Sequence, residues 1–332
     1  MILRMKQIFL TAWCGTILTL TVAATAQQEK AEALVSGPGP TFVVPKKDIP
    51  AKWTIIAYGD TRFTNPANTE VTNPKVRRWL VDKIASEHPD ALLVSGDLPY
   101  DGSVDADYDV FRKETEIWKT EKLRVYPALG NHELAHDPAV GLRNWWETFP
   151  ELKGRRWYSV QFGNAYFVAL DSDVPLTAES EQRKWLADQL AHLPKETQFV
   201  LLELHHPPVA DNVPELEIHF VRPNENSLAV FLEEQAPHLK AKLVVIAGHV
   251  HNYARFEQRG VTYLVSGGGG AKPHPVFREE KDLYKNPPAV NFHFVKFTFD
   301  GEGLNAAMYR VDSEADAPVW EKRDSFRVAA AK

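Results

Sequence analysis

The chain has 332 residues, 44% of them apolar and 25% charged, with a formal net charge of −6. That length suits one large domain or two modest ones with a real core, and the composition is that of a soluble globular protein. The acidic balance, with Lys and Arg scattered along the chain, argues against a nucleic-acid-binding surface.

Arg4 and Lys6 form a short positive region, residues 8–22 are mostly apolar, and Ala24-Thr25-Ala26 fits a small-x-small cleavage site before Gln27. This pattern predicts a secretory signal peptide over residues 1–26, and therefore export to a periplasm or the medium. Thr and Gly interrupt the apolar run, which argues against a stable membrane anchor. Cleavage would remove Arg4 and Lys6 and take the charge from −6 to about −8. It would also remove Cys14, the only cysteine, so the mature chain has no disulfide and no Cys-ligated metal. Residues 27–48, with Gly37-Pro38-Gly39-Pro40, read as an exposed, flexible leader.

From Trp53 onward the pattern is regular. WTIIAYGD (53–60) reads as a strand, and 74–87 as a helix with Val76, Trp79, Leu80, Ile84 and Ala85 on one face. DALLVSGD (90–97) is the next strand, 111–122 a helix, and LRVYPALGNHE (123–133) a strand. WYSVQFGNAYFVALDS (157–172) reads as two strands joined at Gly163-Asn164. A helix over 179–192, a strand into His205-His206-Pro207, a helix over 227–235 and a strand over 242–251 follow. The remainder, 261–268, 289–300 and 304–311, is strand-rich without intervening helices. The alternation predicts an α/β core with parallel strands and an antiparallel C-terminal portion, in one domain over 49–322 with a tail at 323–332.

Five strands end in groups that can bind metal: Asp60, Asp97, Asn131-His132-Glu133, His205-His206, and His249-Val250-His251. In open α/β sheets the carboxyl ends of strands meet at one edge, where ligands bind. Carboxylate and imidazole together suit zinc, iron or manganese, and this many donors suit two ions. Taken singly, Asp60, Asp97 and Asn131 are also ordinary turn residues. Arg62 also reads as a salt-bridge partner, and Tyr100 as an aromatic packed beside a site. Gly267–Gly270 lacks the Walker pattern and is read as allowing close backbone approach. His88, His192, His238 and His274 have no motif around them and read as surface residues, and Trp79 and Trp185 read as core.

Gly59-Asp60, Gly96-Asp97, Gly130-Asn131-His132-Glu133, a later histidine and Gly248-His249-Val250-His251, in this order over about residues 53–270, resemble the calcineurin-like metallophosphoesterase superfamily. The resemblance implies a two-sheet β-sandwich flanked by helices, a four-layer α/β/β/α fold, and a dinuclear metal site that hydrolyses phosphate esters. Many members carry Asp-x-His in the first motif, whereas this chain has Asp60-Thr61-Arg62. Purple acid phosphatases also lack that histidine and use the tyrosine of a GDxxY motif, which here is Gly96-Asp97-Leu98-Pro99-Tyr100. GHVHNYAR (248–255) is similar to their last motif, but their first motif ends in Gly where this chain has Arg62, so the subfamily stays open.

By this resemblance the first metal takes Asp60, Asp97, Tyr100 and His251. The second takes Asp97, Asn131, His249 and one of His205 and His206, with His205 favoured because it precedes Pro207 by two positions. His132 would contact the phosphate and stabilise the transition state or protonate the leaving group. Arg62 adds positive charge near the phosphate, and His219 and Arg222 fall in the family's substrate loop. The implied cofactor is a pair of ions, iron(III) plus a divalent iron, zinc or manganese, which neutralises the ester and makes hydroxide available near neutral pH. The expectation is an exported phosphomonoesterase acting on a small-molecule ester. The alternatives are a phosphodiesterase acting on nucleotides or phospholipid head groups, and a non-catalytic metal- or phosphate-binding module.

Overall fold

The computed structural model describes residues 33–34, 39–212, 220–286 and 291–330. The first part of the chain contributes β1 (Ala33–Leu34), β2 (Phe42–Val44), β3 (Trp53–Tyr58), α1 (Pro74–Ser86), β4 (Ala91–Val94), α2 (Asp105–Glu114), α3 (Glu116–Thr120), β5 (Arg124–Pro127) and α4 (Pro138–Thr148). There follow β6 (Tyr158–Phe162), β7 (Ala165–Ala169), α5 (Glu181–Ala191), β8 (Phe199–Leu204), α6 (Pro223–Gln235) and β9 (Lys242–Ala247). The last are β10 (Tyr253–Gln258), β11 (Val261–Ser266), β12 (Phe292–Phe299), β13 (Gly303–Val311) and β14 (Trp320–Ala329).

The strands form two mixed sheets, ordered β1-β2-β6-β7-β8-β9-β11-β10 and β14-β13-β12-β3-β4-β5. β3, β4 and β5 are mutually parallel, as are β7, β8 and β9. Period-two alternation decides what each face of β8 meets. Phe199 and Leu201 join the inter-sheet core with Trp53, Phe162, Phe167 and Phe299. Val200, Leu202 and Leu204 join a second cluster with Leu186 and Leu190 of α5 and Leu228 and Leu232 of α6. Trp53 of one strand stacks on Phe299 of its neighbour, ring centroids 3.6 Å apart. Each such buried aromatic stabilises the fold by about 1.5–3 kcal/mol relative to exposure. α1 adds Val76, Leu80, Val81 and Ile84 to the inter-sheet cluster and its neighbours. The expected two-sheet sandwich flanked by helices is therefore the fold.

Helix starts follow capping chemistry. Asn73 accepts from Val76 N ahead of Pro74, Asp137 accepts from Ala139 N and Val140 N ahead of Pro138, and Ser180 accepts from Arg183 N. α6 begins at Pro223, earlier than its apolar spacing suggests, because proline is favoured in the first turn. The helix expected over 111–122 is two, broken at Thr115, whose hydroxyl bonds Phe111 O at 2.7 Å.

The segment from 323, expected as a tail, is most of the long edge strand β14, paired antiparallel to β13. The leader boundary at 48 also moves. Phe42 and Val44 are buried, and β2 pairs parallel to β6. The predicted signal peptide, 1–26, lies outside the described residues. No described helix is long and apolar enough to cross a membrane. Trp79 and Trp185 are half-buried and pack against the two clusters.

Candidate metal centre

β3, β4, β5, β8 and β9 bring their carboxyl ends to one edge, and the backbone there is unusual. Asp60, Asp97 and His249 have φ of 61°, 53° and 66°, in the left-handed region that non-glycine residues rarely occupy. Such residues persist where surrounding contacts over-determine them. Asp60 N donates to Gly96 O at 3.0 Å, Gly248 N to His205 O at 3.0 Å, and Gly269 N to Gly59 O at 2.8 Å. The expected close approach at the glycine run is present. A Cβ on Gly267 would lie 2.7 Å from Asp60 Oδ2, and one on Gly269 2.4 Å from Gly59 O.

Two groups of donors result. In the first, the ligating atoms of Asp60, Asp97 and His251 lie within 4.8 Å of one another. His251 Nδ1 bonds Lys272 O at 2.6 Å, and its buried Nε2, 3.4 Å from Asp60 Oδ1, has no hydrogen-bond partner among the described residues. A buried imidazole nitrogen left without a partner beside ionised carboxylates suits a metal ion. In the second group, His205, His206 and His249 lie within 4.8 Å of one another. His205 Nε2 is 3.0 Å from Asn131 Oδ1, 3.3 Å from Asp97 Oδ1 and 3.3 Å from His249 Nδ1, while its Nδ1 bonds Ser95 O at 2.9 Å. Asp97 thus belongs to the first group and touches the second, the position of a bridging carboxylate. The donor set of carboxylate, amide oxygen and imidazole fits two metal ions of the zinc, iron and manganese kind.

Both histidines of the pair reach the site, in different company. His205 meets Asp97 and Asn131. His206 packs on His249, centroids 4.2 Å apart, and its Nδ1 bonds Ser172 Oγ at 2.8 Å. Tyr100 is half-buried with its ring 5.5 Å from that of His132. His132 Nδ1 bonds Tyr100 O, and its Nε2 lies 3.8 Å from Asp97 Oδ2. Arg62 Nη2 is 3.5 Å from Asp97 Oδ2, and its buried Nε has no partner among the described residues. Arg222 is held at the start of α6 by Glu225, at 2.8 Å, and by Ser172 O, at 2.6 Å. His219 lies outside the described residues.

Burial opposes the charge on Asp97, but His205, His132 and Arg62 outweigh it and hold the carboxyl below its usual range. Burial likewise opposes the charge on Asp60, but the neighbouring His251, His205 and Arg62 outweigh it and hold it well below that range. Burial depresses His249 to about 3, helped by the charge of His205, so its imidazole is neutral and ready to ligate.

Sequence reasoning did not separate out Glu133. Its carboxylate accepts from Asp97 N at 3.0 Å, Leu98 N at 2.7 Å and Gly130 N at 2.8 Å, tying the Asp97 turn to the Asn131 turn. Burial, then the charge of Asp97, pushes its carboxyl up to about 7. Arg77 was also missed. Fully buried on α1, it pairs with Glu114 at 2.7 Å and donates to Arg62 O at 3.0 Å and Thr64 O at 3.3 Å, bracing the turn after Asp60. Its position among the apolar residues of the helix was the available signal. His274, read as a surface residue, is stacked on His251 with centroids 3.9 Å apart.

A two-sheet α/β sandwich whose parallel strands deliver Asp, Asn and His to one edge is a scaffold for a metal centre. The chain belongs to the calcineurin-like phosphoesterase family, which it matches over residues 54–253. It is 30% identical over 202 residues to a probable cyclic nucleotide phosphodiesterase of Synechococcus, covering 58% of this chain and 69% of that protein. It is 25% identical over 288 residues to purple acid phosphatase 22 of Arabidopsis thaliana, covering 80% of this chain and 59% of the relative. The structure of a purple acid phosphatase from yellow lupin shares the fold with a TM-score of 0.64 at 17% identity, over 84% of this chain and 54% of that one. The chain thus spans little more than half the length of both purple acid phosphatases and about two thirds of the cyanobacterial protein.

Proposed function

We propose that this chain is an exported, dinuclear-metal phosphomonoesterase of the purple acid phosphatase kind. The observation that carries the reading is Asp97, which lies in one donor group with Asp60 and His251 and stands 3.3 Å from His205 in the other. Two ions held there would offset the charge of an anionic ester and lower the pKa of water near neutral pH. Asp60, Asp97, Tyr100 and His251 would hold the first, and Asp97, Asn131, His205 and His249 the second. Iron(III) in the first site would favour the phenolate of Tyr100, with divalent iron, zinc or manganese in the second.

The remaining roles fall to this chain's own groups. The Nδ1–H of His132 donates to Tyr100 O, which turns Nε2 toward the Asp97 edge of the site. From there the imidazolium hands a proton to the departing alcohol oxygen. Arg62 lends its guanidinium to a phosphate oxygen, since planar N–H groups match phosphate geometry. His219 is the further candidate for the leaving-group side. Export rests on the charge and apolar pattern of residues 1–26.

A diesterase is the second reading. It is favoured by Arg62, where purple acid phosphatases have Gly, and by the cyanobacterial relative named as a cyclic nucleotide phosphodiesterase. Rates on p-nitrophenyl phosphate and bis(p-nitrophenyl) phosphate, measured on one metal-loaded preparation, separate the two. Faster monoester hydrolysis, with a visible absorption band that Tyr100→Phe abolishes, is the expected result. Faster diester hydrolysis by a colourless protein would replace the first reading with the second.

A further inference from the structure

His274 lies in Lys272-Pro273-His274-Pro275, a segment that follows β11 and returns beside the end of β9. Its imidazole stacks on that of His251, with centroids 3.9 Å apart and planes 20° from parallel. Phe220 stacks on His274 in turn, at 5.9 Å and 14°. The backbone repeats the attachment. His274 N donates to His251 O at 3.2 Å, His251 N donates to His274 Nδ1 at 3.4 Å, and Asn252 Nδ2 donates to His274 O at 3.0 Å. Two residues earlier, Lys272 O accepts from His251 Nδ1 at 2.6 Å. The segment 272–274 therefore grips His251 by its backbone, by one ring edge and by one ring face. Of the ring's polar atoms, only Nε2 remains, facing Asp60.

These contacts do different things. The Lys272 carbonyl fixes the tautomer, with the proton on Nδ1 and the lone pair on Nε2. A single hydrogen bond leaves the ring free to swing about that bond. A stacked neighbour removes the swing, because offset aromatic faces hold their separation and tilt. Prolines on both sides of His274 restrict the backbone that carries it. A ligand already held in its binding orientation loses less conformational entropy when an ion binds.

We propose that His274 is a positioning residue for His251, and that its stacked ring strengthens binding of the first of the two metal ions. The proposal rests on the reading of His251 as a metal ligand. It assigns no chemical step to His274, which acts only through its neighbour.

The test is Mn²⁺ binding to the metal-stripped full chain, with free Mn²⁺ read by its paramagnetic resonance signal. Wild type, His274→Ala and His274→Phe are compared, with circular dichroism as a check on folding. Wild type is expected to bind two ions per chain. His274→Ala is expected to keep one site unchanged and to weaken the other about 10-fold or more, since loss of a residue supporting a ligand costs roughly 10–100-fold in metal affinity. His274→Phe keeps a ring face without Nδ1 and is expected to recover most of that loss. An alanine variant that binds both ions as tightly as wild type overturns the proposal. So does a phenylalanine variant as weak as the alanine one. Wild type binding fewer than two ions is a distinct result, which overturns the metal-centre reading beneath it.

Discussion

Asp97 is held in the left-handed region by bonds to its backbone and to its carboxylate. Its N–H donates to Glu133, its carbonyl accepts from Arg62 N at 3.0 Å, and its carboxylate accepts from His132 N at 3.0 Å. A strained residue of this kind costs on the order of 1–3 kcal/mol, which the surrounding bonds offset. The residue before it has no room to change. Gly96 has φ of 86°, and an added Cβ would lie 2.8 Å from Gly130 N and 2.9 Å from His205 Nδ1. Gly96→Ala is therefore expected to cost about 1–3 kcal/mol from overcrowding, with a further cost from the backbone, read by urea denaturation. An unchanged midpoint would show that the turn is looser than described. His132 behaves differently, because it stands beside the donor groups and not within them. His132→Ala is expected to lower kcat by roughly 10²–10⁴-fold, with metal content unchanged. Loss of metal in that variant would mean His132 ligates or shapes the donor groups.

At the scale of elements, legibility depended on how completely each segment is buried. β3, β4, β8 and β9 are nearly all apolar and end in polar residues, so the strands and the donor residues at their ends could be read directly. α4 is absent from the elements expected from the sequence, because Asp137-Pro138 and Gly141 look like punctuation. In the fold they are an N-cap, a first-turn proline and a close approach, where a Cβ on Gly141 would lie 2.0 Å from Glu133 O. β14 was missed because an edge strand keeps its charges, and in WEKRDSFRVA no residue is fully buried. Long-range packing also hid Glu133, Arg77 and His274, whose partners no local pattern announces. One such contact joins two segments flanking the site. Asp211 Oδ1 accepts from Glu279 N at 3.0 Å, and Arg278 Nη1 lies 2.7 Å from Asp282 and 3.6 Å from Asp211. Burial, then a hydrogen bond shared with Asp282, pushes the Asp211 carboxyl up to about 7. A carboxyl raised on folding binds a proton more tightly in the folded state, so its contribution to stability falls as pH rises from about 4 through about 7. Asp211→Asn is expected to flatten that part of the stability–pH curve. A curve parallel to wild type over this window would contradict the assignment.

The whole molecule is acidic, at −6, yet its site is proposed to take an anionic ester. The attraction must come from bound cations and from Arg62, because the overall field repels the substrate. The two sheets are also fastened at the edge near the site. Asp324 of β14 accepts from Tyr253 Oη at 2.9 Å and from Arg255 Nε at 2.7 Å, both on β10, which begins two residues after His251. A chain ending at 322 would lose Asp324 and most of β14. It is expected to melt at lower temperature than the full chain and to bind metal more weakly. Equal melting temperatures would show that β14 is dispensable.

The most direct test of the central claim is to measure bound metal and phosphate-ester hydrolysis on the same preparations of wild type and Asp97→Ala. If Asp97 bridges two ions, wild type carries two per chain and hydrolyses the ester, while the variant loses at least one ion and its activity together. An Asp97→Ala protein with wild-type metal content and wild-type turnover would contradict the account.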